Sequence, residues 1–141
     1  MRRAVCFCAF AVFGVIAAIL PATVGASTTS AFRADLHDNL ACPPGIDLCG
    51  KGVVHGYGTA TATFTFFPTE RVITLDSDGS TLRIALVPTD LSPPLLHGTW
   101  AIEGGTGVFA GATGSGVIWA TETGVPVPSD TAHYVGTITL A

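Results

Sequence analysis

Charge is scarce in this chain of 141 residues. Asp, Glu, Lys and Arg make up 11% of it, against about 25% in an ordinary soluble domain. Six of these side chains are Lys or Arg and ten are Asp or Glu, so the formal net charge is −4. A surface with so few cations repels phosphate backbones, which argues against a nucleic-acid partner. The acids are scattered and form no acidic tail. Cysteine is sparse too. Four are present, Cys6, Cys8, Cys42 and Cys49, and they lack the clustered spacing of a zinc site. The four histidines, His37, His55, His97 and His133, show no H-x-H or H-x-x-x-H spacing. No metal and no cofactor is therefore expected. After Leu20 no long apolar run recurs, which leaves no second segment of membrane-spanning length.

The one long apolar run lies at the start. Arg2 and Arg3 precede an uncharged stretch from Val5 to Leu20, and Pro21 ends it. Ala22, Val24 and Ala26 then approach an A-x-A-like cleavage site. This is the pattern of a secretory signal peptide, residues 1–26, cut after Ala26. The rival reading, an uncleaved anchor helix, asks for about 20 apolar residues, more than the run supplies. Cys6 and Cys8 precede the apolar run rather than the cut, so they do not read as lipidated cysteines at a new N-terminus. The expected location is extracellular or cell-surface, with no stable membrane insertion after cleavage. Loss of Arg2 and Arg3 takes the net charge from −4 to −6.

The remaining 115 residues, 27–141, suit one domain with one core. Cys42 and Cys49 in "CPPGIDLCG" read as a disulfide, because an exported chain meets an oxidising compartment. Thr, Val, Gly and aromatics dominate, with Gly and Pro punctuation every several residues, which predicts many short strands. In "TATATFTF", Thr59, Thr61, Thr63 and Thr65 point one way, and Ala60, Ala62, Phe64 and Phe66 the other. The second row grades from small to large, as a tapering barrel interior asks. Asp76 to Gly79 predicts a hairpin turn. Leu82, Ile84 and Leu86 share one face of the strand that follows. Trp100 and Ile102 share a face further on, as do Tyr134, Ile138 and Leu140 at the end. A polar "DLHDN" within residues 27–41 predicts an irregular lead-in before a barrel over 42–141. Seven or eight strands result, the range of a small closed barrel.

Glycine is concentrated in "EGGTGVFAGATGSG", Glu103 to Gly116. "GTGVFA" matches a dinucleotide fingerprint, but the text that follows breaks the helix which that motif requires. Ser115 is not a nucleophile-elbow serine, because Thr113 stands where glycine is needed. The stretch reads instead as a turn, a short strand and a second bend that help a sheet to close, with Phe109 plugging inward.

"W-x-I-x-G-G-T-G-x-F-x-G-A-x-G", from Trp100 to Gly114, resembles the signature of allene oxide cyclase-like and dirigent-like barrels. Small secreted bacterial proteins of unassigned function are closer still. They share a "CG-x-G" opening, here Cys49-Gly50-Lys51-Gly52, continued through Gly56, Gly58 and Thr61. The resemblance spans about residues 42–141. It implies an all-β, closed antiparallel β-barrel of eight strands, often with a cavity and often a homo-oligomer. None of the cyclases' catalytic residues is carried over.

Tyr57, Trp100, Trp119 and Tyr134 are candidates to line an apolar pocket, or else ordinary core. Phe109 joins them as the plug. Glu103 and Glu122 flank the glycine stretch. Facing inward, either can serve as an acid or base; facing outward, it is a solvated strand carboxylate. His55 and His133 sit in strand-like text and approach each other if those strands pair, as metal ligands or as plain surface histidines. Asp76, Asp78 and Gly79 recur in calcium loops, but a plain turn needs nothing more. The expected function is a non-catalytic binding or surface-interaction module for a small apolar ligand. An isomerase or cyclase acting on a hydrophobic substrate, and a purely structural secreted protein, are the alternatives.

Overall fold

A computed structural model of the chain describes residues 27–39, 42–90, 92, 94–123 and 129–141. The expected signal segment, 1–26, lies outside the described residues. Eight strands follow in chain order: β1 (Thr28–Asn39), β2 (Leu48–Val54), β3 (Gly58–Phe66), β4 (Thr69–Leu75), β5 (Thr81–Asp90), β6 (Leu95–Gly105), β7 (Thr113–Thr123) and β8 (Ser129–Leu140). Each pairs antiparallel with the next, and β8 pairs back onto β1 from Thr28↔Leu140 to Asp38↔Asp130. Closure leaves no sheet edge to recruit another chain. The expected barrel is there.

Alternation along each strand explains why it closes around one core. On β4, Arg71, Ile73 and Leu75 are buried while their neighbours are half-buried. On β3 the inward row Ala60, Ala62 and Phe64 is buried, but Phe66, expected to continue it, lies half exposed at the barrel rim. The tight turn expected at Asp76 to Gly79 joins β4 to β5. Gly79 adopts φ 73°, and Asp78 accepts hydrogen bonds from the Ser80 amide and hydroxyl.

Two expectations are corrected. The irregular lead-in at 27–41 is instead β1, a full member of the barrel. Its inward row is Phe32, Ala34, Leu36 and Asp38, all buried. The polar "DLHDN" conceals this because the last inward residue is a carboxylate whose partner lies elsewhere in the chain. The glycine stretch holds no short strand between its bends. A single 3-10 turn, Gly107–Phe109, bridges β6 and β7, with Gly107 at φ 59°.

That turn closes one end of the barrel. Phe109 is fully buried, and its ring centroid lies 4.9 Å from that of Tyr57. The Val108 amide donates to the Ser80 hydroxyl, which ties the plug to the β4–β5 turn. Just inside, Trp100 lies across the strands β7 and β8. Gly116 and Gly136 are register partners there. A Cβ on Gly136 would stand 2.6 Å from the Trp100 ring, so the indole needs glycine at that point. Its Nε1 donates to the Val117 carbonyl at 2.9 Å. The Cys42–Cys49 disulfide forms as expected, with Cα atoms 5.5 Å apart.

Candidate functional site

At the other end no described residue plugs the barrel. A cavity of about 560 Å³ opens there. It is bounded by the late residues of β3, β5 and β7 and the early residues of β2, β4, β6 and β8. Phe64, Leu86, Leu96, Ile118, Ala120 and Ala132 supply most of its apolar wall. Phe66 and Phe67 stand at its rim, and Glu122, Asp130 and Arg71 add polar groups.

Register explains the polar floor. Glu122 pairs with Asp130, and Asp130 with Asp38, so three carboxylate residues stand side by side on β7, β8 and β1. The same row continues through Gly50 and Ala62. These residues are small, and a Cβ on Gly50 would collide with the Asp38 carboxylate. Arg71 on β4 uses the room. Its Nη1 and Nη2 each donate to one oxygen of Asp38 at 2.7 Å, and its Nε donates to the Tyr134 hydroxyl at 3.0 Å. The guanidinium carbon also lies 5.1 Å from the centre of the Phe64 ring. Arg71 and Asp38 are both almost wholly buried. Such an ion pair survives burial only with two parallel hydrogen bonds and its remaining donors satisfied. Burial opposes the Arg71 charge, but Tyr134 and Asp38 outweigh it and hold the pKa above the ordinary arginine range. Burial likewise pushes the Tyr134 phenol up, so it stays protonated.

Asp130 differs. Burial first, then a hydrogen bond to Asp38 and the negative charge of that neighbour, push its carboxyl up to about 7. Two adjacent carboxylates sharing one cation do not both ionise easily. Asp130 Oδ1 is buried without a hydrogen-bond partner among the described residues. The floor therefore holds the Arg71–Asp38 ion pair and, below neutral pH, a neutral Asp130 carboxylic acid, with Glu122 beside them.

The sequence candidates distribute unevenly. Glu122 lines the cavity. Tyr134 is fully buried beneath it and reaches it through Arg71. Trp100 is core, and Phe109 and Tyr57 close the opposite end. Trp119 lies on the outer wall, its ring stacked 5.6 Å from His133. Glu103 is exposed, 3.8 Å from Arg83. Arg71, Asp38 and Asp130 were not singled out by sequence reasoning. The available signal was phase, since each continues an inward row of its strand.

His55 and His133 do not meet, because β1 stands between β2 and β8. They flank one carboxylate instead. His55 Nε2 and His133 Nδ1 each lie 2.6 Å from a different oxygen of Asp35, and Arg33 Nε donates to it at 3.0 Å. Burial opposes ionisation of Asp35, but the bonds from His133, His55 and Arg33 outweigh it and hold the carboxyl well below the usual carboxylate range. Among the described residues, no group of three or more His, Cys, Asp or Glu side chains is arranged to hold a metal ion. No helix among them is long and apolar enough to cross a membrane.

No protein-family model and no curated protein matches the chain. Among solved structures it is similar to a pterocarpan synthase dirigent protein, at 16% identity and a TM-score of 0.48, over 82% of this chain and 86% of that one.

Proposed function

We propose that the chain is an exported binding module that takes a small, largely apolar and uncharged molecule into the open end of its barrel. One observation carries the reading: an apolar cavity of about 560 Å³ with a compact polar floor. Sites for small molecules fall in the range of about 300–1,000 Å³ and combine apolar walls with a few converging polar groups. Arg71 is already paired with Asp38 and Glu122 stands beside them, so an anionic ligand would bury an uncompensated charge. A hydroxyl or amide N–H can instead donate to Asp130 Oδ1, which lacks a partner among the described residues. Export is supported by the arginine-led apolar run of residues 2–20 and by the Cys42–Cys49 disulfide, a bond that persists in oxidising compartments.

Titration with the uncharged fluorophore N-phenyl-1-naphthylamine tests the reading, together with native mass spectrometry of the purified protein. Saturable binding that is lost in Leu96→Trp, which fills the cavity, is the expected result. No saturable binding by the wild type, and no small-molecule adduct, would overturn it.

Asp130 favours a second reading, an isomerase or cyclase acting on a hydrophobic substrate. A carboxylic acid that titrates near neutrality and faces an apolar cavity is placed to give and take a proton. The isosteric change Asp130→Asn separates the two readings. It leaves binding in place in both and abolishes turnover only if Asp130 transfers a proton.

A further inference from the structure

The β3–β4 turn presents two adjacent phenyl rings at the cavity mouth. Phe67 is 97% exposed and Phe66 50%. Single exposed apolar side chains are ordinary. This pair is different because the backbone beneath it is pinned. The Phe66 amide donates to Asp47 at 2.7 Å, the Thr65 hydroxyl to the Pro68 carbonyl at 2.8 Å, and the Thr69 hydroxyl to the Phe66 carbonyl at 3.0 Å. These bonds fix the backbone of the turn at the mouth, from which both side chains project. They are also continuous with apolar surface, since Phe66, Phe67, Leu48, Leu86 and Pro88 border one cavity.

Charge at this end narrows what such a surface fits. Asp47, Glu70, Asp90 and Glu122 stand on the strand ends and turns around the mouth. The nearby arginines are engaged, Arg71 with Asp38 and Arg83 with Glu70. An acidic rim repels an anionic surface. A net-neutral interface has no such objection, and apolar rings gain by entering its headgroup and acyl boundary.

We propose that the mouth of the barrel docks on a zwitterionic lipid surface, with Phe67 and Phe66 as the inserted side chains. The cavity then opens directly onto the bilayer. Docking stands independently of what the cavity holds, because vesicles alone are the probe.

Phosphatidylcholine vesicles carrying a trace of dansyl lipid test this through energy transfer from Trp100 and Trp119 and through co-sedimentation. The wild type should bind, and binding should be unchanged from low to high salt. Phe67→Ser should weaken partitioning by about fivefold or more, with an unchanged melting temperature. Phe67→Trp should bind as the wild type does and shift its emission to the blue on vesicle addition. Equal partitioning of Phe67→Ser and wild type overturns the proposal. So does binding confined to phosphatidylglycerol vesicles and lost at high salt. A Phe67-dependent dimer in sedimentation velocity, without vesicle binding, assigns the rings to a second copy of the chain and overturns it as well.

Discussion

Replacing Arg71 with methionine removes the cation that crosses the barrel lumen and keeps most of the apolar volume. Asp38 then loses both of its 2.7 Å donors while remaining wholly buried. Breaking a buried pair from one side costs about 3–5 kcal/mol, because the surviving charge is uncompensated. At a urea dependence of about 2 kcal/mol per molar, the unfolding midpoint should fall by roughly 2 M. Asp38→Leu combined with Arg71→Met should cost far less than the two single changes added together, because no buried ion is left. Urea denaturation followed by tryptophan fluorescence measures all three variants. An Arg71→Met midpoint within about 0.3 M of wild type, or strict additivity in the double variant, would refute the buried pair.

The raised pKa of Asp130 makes the fold sensitive to pH. Its folded value, about 7, exceeds the unfolded value of 3.8, so its contribution is full below the unfolded value and is lost as pH rises through about 7. Discounted for partial solvent access, the swing is roughly 1–2 kcal/mol, and Asp130→Asn should flatten that part of the stability profile. Gly136→Ala would push a methyl against the Ser115 carbonyl and the Trp100 ring. It should destabilise by about 1–3 kcal/mol and shift tryptophan emission, and an unperturbed spectrum would argue against the close packing. Cys42→Ser with Cys49→Ser opens a loop of sequence separation seven. It should lower stability by about 2–3 kcal/mol, a loss that reduction of the wild type should reproduce in a thermal melt.

The architecture was legible where alternation was made of ordinary apolar residues. Ala60, Ala62 and Phe64, or Leu82 and Ile84, announce an inward face without help from the rest of the chain. Asp38 and Arg71 hold the same phase on β1 and β4, but a charge at an inward position reads as a strand ending. The compensation is 33 residues away and becomes visible only when the sheet closes and brings the two strands to one lumen. The same blindness turned β1 into a lead-in. The aromatic candidates show the converse limit. Trp100 and Trp119 both look like pocket residues by composition, yet register sends one into the core and the other to the outer wall. The cavity exists at one end because Gly50, Ala120 and Ala132 are small there, whereas Phe109 and Tyr57 occupy the other end. Nothing local in the sequence says which end each of these residues will reach.

Phe109 gives the lumen a blind base. A guest of the barrel must back out through the same doorway it came in by, so uptake and release compete for one opening and no through-flow is available. Dwell time is then governed at the Phe66–Phe67 threshold, and trimming Phe109 to alanine would leave the base shut, because Phe32, Trp100 and Tyr134 stay packed between it and the cavity.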